Sequence, residues 1–92
     1  MESANKNKLV QELTLLLVYL SAWEEKTITG EIVHRAWKGY DFTILDQLKE
    51  SGLIDFSFRA KSLSVLEEGT KKAEILLARF GDQKGLTSHN VK

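Results

Sequence analysis

An α+β fold, mostly helical, is predicted by three observations between Asp41 and Gly69. An Asp-capped amphipathic segment ends at a glycine, two short alternating segments flank a basic turn, and a second helix start follows. This order is typical of a recognition helix and its wing. We therefore predict a winged helix-turn-helix-like domain over residues 1–81, with four helices and a two-stranded β-hairpin wing, and a flexible tail over residues 82–92.

The composition is that of one small globular domain. The 92 residues are 42% hydrophobic and 28% charged, and 13 basic residues balance 13 acidic ones. With a net charge of zero the chain lacks the strong positive charge that is common in DNA-binding domains, so any nucleic-acid contact must depend on local charge. The absence of cysteine excludes disulfides and thiolate metal sites and fits a cytoplasmic location.

The first predicted helix runs from near Asn7 to Trp23. Its nearly all-apolar segment Leu13 to Leu20 follows two lysines, as in a secretory signal peptide, but the helical spacing of its large residues favours an amphipathic core helix. Val10, Leu17 and Val18 widen the apolar surface beyond one stripe. We expect these three residues to form a homodimer interface, because they exceed what one small core can cover.

The next two predicted helices are separated by a glycine-containing turn. The segment Thr29–Lys38 is interpreted as a short second helix, although its isoleucine and valine residues also suit a strand. Helix 3 should begin at Asp41, whose side chain can cap it while Tyr40 and Leu45 form a hydrophobic staple. Gly52 should end that helix, because glycine enters the left-handed cap conformation without steric cost.

Two half-buried strands are predicted around the basic turn Arg59-Ala60-Lys61. Apolar residues alternate with polar ones from Ile54 to Phe58 and again from Leu63 to Val65. This hairpin is the predicted wing. A fourth helix should start near Glu67, where acidic residues favour the positive end of the helix dipole, and it should end at Gly81.

Three strings of the sequence carry a resemblance to a known family: R-A-W-K-G-Y-D at Arg35–Asp41, L-D-Q-L-K-E-S-G-L-I at Leu45–Ile54 and K-S-L-S-V-L-E-E-G at Lys61–Gly69. They resemble a bacterial family of small winged-helix-like proteins of unknown function that carry an R-A-W-K-G-aromatic-D segment. The resemblance covers most of the chain. It implies a prokaryotic cytoplasmic protein, and it transfers no catalytic residue.

Two functions remain open from the sequence. The first is weak duplex-DNA binding or a regulatory role, in which basic residues contact phosphates and uncharged residues of helix 3 read bases. The residues in these two roles are Arg35, Lys38, Lys49, Arg59 and Lys61 for phosphates and Thr43 and Gln47 for bases. The second is protein–protein interaction and dimerisation without nucleic acid.

No enzyme activity, metal site or cofactor is expected, and no membrane or small-molecule partner is inferred. Asp46 and Glu50 share a helix face, but such a pair is usually solvated surface, and no metal-ligand spacing accompanies His34. Trp37 and Tyr40 offer a partner-anchoring cluster. Large aromatics in a small domain are more often core, so we expect both to plug the core where helices 2 and 3 meet.

Overall fold

The computed structural model describes residues 3–81, which form helices on one face of an antiparallel sheet. The strand order in the sheet is β1-β2-β4-β3. In chain order the elements are α1 (Ser3–Ser21), β1 (Trp23–Lys26), β2 (Ile32–Trp37), α2 (Phe42–Glu50), β3 (Ile54–Asp55), β4 (Ser62–Val65) and α3 (Glu67–Gly81). The prediction of a tail over residues 82–92 lies outside the described residues.

The prediction of four helices and a two-stranded wing is wrong. The structure has three helices and a four-stranded sheet within residues 3–81. The segment predicted as helix 2 contains β2, which pairs with β1 on one side and with β4 on the other. Pairing on both sides outweighs the weak helical spacing of Ile32 and Ala36, and the β-branched Ile32 and Val33 favour the extended backbone. Trp23, predicted as the last residue of the first helix, is instead the first residue of β1.

The predicted wing hairpin is one half of the larger sheet. Strand β4 pairs with β3 on one side and with β2 on the other, so it is a central strand. The first strand of the hairpin is shorter than predicted, because only Ile54 and Asp55 pair and Phe56–Phe58 lies in the following loop. A hairpin joined to β2 along its length does not project from the domain as a wing does.

Helix α2 begins and ends where the sequence predicts. The Asp41 carboxylate accepts a hydrogen bond from the Ile44 N–H at 3.1 Å. At the other end Gly52 has a φ of +78°, and the Leu53 N–H donates to the Leu48 carbonyl at 3.1 Å. This is the glycine-dependent cap that closes a helix and returns the chain toward the core. The caps therefore fix the length of α2 locally.

The core lies between the helices and one face of the sheet. Its fully buried side chains come from every layer of the domain: Leu15, Val18, Ala36, Leu45, Leu48, Ile54, Leu63 and Ala73. Because strand residues alternate in direction, Ala36 and Leu63 face the helices while Trp37 and Ser62 face the other way. Val18 has no exposed surface and is not available to a dimer interface, which corrects its predicted role.

The start of α3 depends on a close approach that only glycine permits. Helix α3 begins at Glu67, as predicted, and the Leu66 N–H donates to the Leu53 carbonyl at 3.0 Å. Gly69 is buried against the same carbonyl, and a β-carbon at Gly69 would overlap the Leu53 oxygen. The backbone carbonyl of Leu53 cannot move aside as a flexible side chain can, so the residue after Glu68 must be glycine.

We expect Gly69→Ala to lower the free energy of unfolding by about 1–3 kcal/mol, the usual cost of overpacking. Urea denaturation measures this loss. Gly39→Ala is the matched control, because its added β-carbon meets no heavy atom within 4 Å and its φ is not positive. Equal losses in the two variants would show that the contact with Leu53 does not constrain α3.

We expect Leu48→Asp to unfold the domain. Leu48 is 1% exposed, and a buried unpaired carboxylate costs several kcal/mol, which is comparable with the whole stability of a small domain. The control is Thr43→Asp on the exposed first turn of the same helix, where the dipole favours a negative charge. Circular dichroism and thermal melting should separate the two variants, and similar melting temperatures would contradict the placement of Leu48.

Candidate functional site

The open face of the sheet carries a pair of tryptophans. Trp23 of β1 and Trp37 of β2 lie on this face, with ring centroids 4.9 Å apart and planes inclined by 48°. Trp37 is 64% exposed, so the expectation that it plugs the core is wrong. Tyr40 does pack against the core, as expected. Sequence reasoning missed Trp23 because it placed this residue on a helix, away from Trp37.

Arg35 is fixed in the middle of the same face. Its Nε and Nη1 atoms donate to the Oγ atoms of Ser62 and Ser64 at 3.2 and 3.1 Å, and Nε lies 3.5 Å from Glu25 Oε1. The side chain keeps 27% of its exposure. Arg35 is therefore oriented by β4 and partly neutralised by one carboxylate of β1.

Two lysines that were predicted to contact phosphates instead hold the loop between β3 and β4. The Lys38 Nζ donates to the carbonyls of Ser57 and Ala60 at 3.1 and 2.8 Å, and the Lys49 Nζ donates to the Phe56 carbonyl at 2.6 Å. Both ammonium groups also lie over the Phe56 ring, 4.6 and 4.8 Å from its centroid. These lysines therefore order the loop and are not free phosphate ligands.

The loop presents Phe58, Arg59 and Lys61 to solvent. Phe58 is 92% exposed, and both cations are exposed. The Lys61 carbonyl accepts a hydrogen bond from the Lys38 N–H at 3.2 Å, and the next residue, Ser62, pairs with Trp37. The loop thus joins β4 opposite the Trp37 end of β2. Of the predicted site residues, Lys38 and Lys49 converge on this loop, which itself carries Arg59 and Lys61, and Arg35 lies on the adjoining strand β2.

The predicted base-reading residues lie elsewhere, on α2. Thr43 is exposed, whereas Gln47 is half-buried with a buried Oε1 that has no hydrogen bond within the described part of the chain. Helix α2 packs into the core through Ile44, Leu45 and Leu48, which places it on the covered side of the sheet. The structure therefore does not group Thr43 and Gln47 with the residues of the open face.

A second surface is a groove between α1 and α3, which we call the leucine groove. It has a volume of about 490 Å³, and its lining is entirely apolar: Leu13, Leu16, Leu17, Leu20, Leu77 and Phe80. Leu17 and Leu20 are more than half exposed, and Val10 is exposed nearby on α1. Two of the three predicted interface residues are thus on the surface.

A hydrogen bond and an ion pair join α1 to α3, the ion pair being between Glu12 and Lys72 at 3.9 Å. The Tyr19 hydroxyl of α1 donates to Glu74 Oε2 of α3 at 3.1 Å. Burial raises the pKa of the Tyr19 hydroxyl above its usual value, and the hydrogen bond and charge of Glu74 raise it further. Tyr19 therefore stays protonated at neutral pH and remains a hydrogen-bond donor.

Residues 3–81 contain neither a metal-binding cluster nor a helix able to span a membrane. No cluster of three or more histidine, aspartate or glutamate side chains in that range is arranged to hold a metal ion. None of its helices combines the length and the apolar character needed to cross a bilayer.

Comparisons with known proteins place the chain in a family. Residues 6–83 match the family described as "Domain of unknown function (DUF6429)", so the chain belongs to that family. It is also similar to the uncharacterized protein y4hR of Sinorhizobium fredii (strain NBRC 101917 / NGR234), with 34% identity over 72 residues, or 77% of this chain and 86% of that protein. No solved structure gives a significant match. The predicted membership of a family of unknown function is thereby confirmed, without its winged-helix character.

We expect Lys38→Met to lower the free energy of unfolding by about 1 kcal/mol, or roughly 4–8 °C in melting temperature. The variant keeps the apolar stem but loses two hydrogen bonds and the contact with the Phe56 ring, which are partly screened by solvent. Lys61→Met removes the same charge from an exposed side chain and is the control. If both variants melted alike, Lys38 would not order the loop.

Proposed function

We propose that this protein is a small interaction module that forms a homodimer through the leucine groove. The observation that carries the proposal is the all-apolar lining of the groove together with the exposure of Leu17 and Leu20, at 56% and 57%. Soluble monomers rarely leave a contiguous apolar patch of this kind uncovered, and such patches usually mark interaction sites. A domain of 92 residues also gains more from added buried area than a large one does.

A second copy of the chain is the occupant that fits this surface best. The exposed residues Leu9, Leu13, Leu17 and Leu20 recur along α1 at three- and four-residue intervals, the spacing that lets two helices pack side by side. About ten half-exposed side chains from two copies contribute on the order of 10 kcal/mol, and the cost of association removes roughly half of it, leaving about 4–6 kcal/mol. The expected dimer is therefore weak, with a Kd of roughly 0.1–1 mM.

The charges at the two ends of α1 favour an antiparallel arrangement. Lys6 and Lys8 lie near its start, and Glu24 follows its end. A two-fold axis across the helix brings the basic end of one copy to the acidic end of the other, whereas a parallel arrangement brings like charges together. Long-range electrostatics thus support a closed, symmetric pair.

Weak duplex-DNA binding has less support as a function of this chain. The sequence-based prediction of duplex binding required a recognition helix beside a projecting wing. The fold of residues 3–81 has neither of these features. Arg35, Lys38 and Lys49 are also engaged within the domain. Arg59 and Lys61 remain exposed, so a salt-dependent contact with duplex through these two residues stays a prediction.

We expect Leu17→Glu to abolish the dimer, because it places a carboxylate in the centre of the apolar contact. Sedimentation velocity over roughly 10 μM to 1 mM protein should show a concentration-dependent dimer for the natural sequence and a monomer for the variant. Circular dichroism verifies that the variant is folded, as expected for a residue that is more than half exposed.

The matched control for this experiment is Ile28→Glu. Ile28 is fully exposed in the β1–β2 turn and does not line the leucine groove, so this variant should dimerise like the natural sequence. A natural sequence that is monomeric over the whole concentration range would refute the proposed function. So would a dimer that Leu17→Glu leaves unchanged.

A further inference from the structure

We infer that the open face of the sheet and the adjoining loop form a binding site for single-stranded nucleic acid. The site joins the exposed ring of Trp37 to the loop residues Phe58, Arg59 and Lys61, with Arg35 beside them. Arg35 and Trp37 lie on the side of the sheet opposite the helices, and neither they nor the loop residues line the leucine groove, so the site does not depend on the proposed dimer. It also differs from the duplex site predicted from the sequence, which used α2.

Two large aromatic rings are exposed, one on the open face of the sheet and one on the adjoining loop. Trp37 is 64% exposed and Phe58 is 92% exposed, although burying such rings is strongly favourable. Trp23 packs against Trp37 and supports it within the sheet, so the ring of Trp37 is held in place. A supported, exposed ring is a platform for an unpaired base, because every base has a flat face that can stack.

The local charge around the open face and the loop differs from the net charge of zero. Both carboxylates on the open face are paired: Glu25 lies 3.5 Å from Arg35, and Asp55 lies 3.5 Å from Lys49. Within residues 3–81, Arg59 and Lys61 form no ion pair. The loop that joins β4 opposite the Trp37 end of β2 therefore carries unneutralised positive charge, as a phosphate backbone requires.

The loop is ordered before any ligand binds. The Lys38 ammonium donates to the carbonyls of Ser57 and Ala60, on either side of Phe58 and Arg59. The Ala60 N–H also donates to the Ser57 carbonyl at 3.2 Å, which closes the turn. A loop held in this way loses less conformational entropy on binding, so its exposed ring and cation are positioned in advance.

These features favour a single strand over other polyanions. In a duplex the bases are stacked inside the helix, so Trp37 and Phe58 would have no base to stack on and only the cations would contribute. An acidic peptide would pair with the cations but has few flat groups for the rings. Unpaired bases joined by phosphates match both kinds of residue at once. RNA and single-stranded DNA share this chemistry.

The test is a titration of fluorescently labelled oligo(dT) and oligo(rU), each of roughly ten nucleotides, with fluorescence anisotropy as the readout at low salt. We expect both to bind, and a duplex of equal length to bind at least tenfold more weakly. Trp37→Ala should weaken binding about tenfold, whereas Trp37→Phe should retain most of it, because a phenyl ring still stacks. Ile28→Ala, a fully exposed apolar residue outside the site, should bind normally.

The phosphate contacts are tested by salt dependence. Replacing both Arg59 and Lys61 by Ala should lower the slope of log affinity against log salt by roughly 1.4, at about 0.7 per contact with a single strand. The control removes the same charge elsewhere, through Lys26→Ala with Lys71→Ala. Absence of binding, equal affinity for the duplex, or a Trp37→Ala variant that binds normally would each overturn the inference. The sedimentation experiment on Leu17→Glu is independent of all these outcomes.

Discussion

The pairing of β2 with β4 is the interaction on which the rest of the structure depends. Each of these strands closes a hairpin with its own neighbour, and the β2–β4 pairing joins the two hairpins into one sheet. Its register sets Ala36 against Leu63 on the inner face and Trp37 against Ser62 on the outer face. A shift by one residue would exchange these faces, placing tryptophan in the core and alanine in solvent. Core and candidate site are thus defined by one set of backbone hydrogen bonds.

The charged residues of this chain act mainly within the domain. Arg35 is held by serine hydroxyls and a carboxylate, and Lys38 and Lys49 donate to loop carbonyls while they flank the Phe56 ring. A zero net charge is therefore compatible with a local concentration of free cations, because the pairing is uneven over the surface. What matters for a charged ligand is which cations keep no partner, and that depends on the fold.

The two candidate surfaces lie on opposite sides of the molecule for a geometric reason. A single layer of helices can cover only one face of a sheet, so the other face of this small domain stays open. The helix layer is itself thin, and the outward side of α1 keeps Leu17 and Leu20 exposed. A dimer through the leucine groove would leave the open sheet face of each copy accessible, and a nucleic-acid strand long enough to reach both copies would bind with increased avidity.

The sequence by itself determined the features that depend on neighbouring residues. The Asp41 cap, the Gly52 end of α2 and the start of α3 at Glu67 were all predicted, because caps and glycine stops act within one helical turn. Membership of a family of unknown function also followed from local strings such as Trp37-Lys38-Gly39-Tyr40. Exposed apolar residues on α1 were expected from the breadth of its apolar surface.

Only the tertiary structure decided which segments pair and which charges are satisfied. Residues 29–38 have mixed helical and extended character. They form a strand because β2 pairs with β1 and with β4, and a strand gains its stability from residues distant in sequence. The β1–β2 pairing brought Trp23 to Trp37 across 14 residues, and the β2–β4 pairing brought the end of the loop that carries Arg59 and Lys61 opposite the end of β2. Val18 and Leu17 are adjacent in the chain, yet Val18 is buried and Leu17 is exposed. Which side of α1 faces the core is set by tertiary packing.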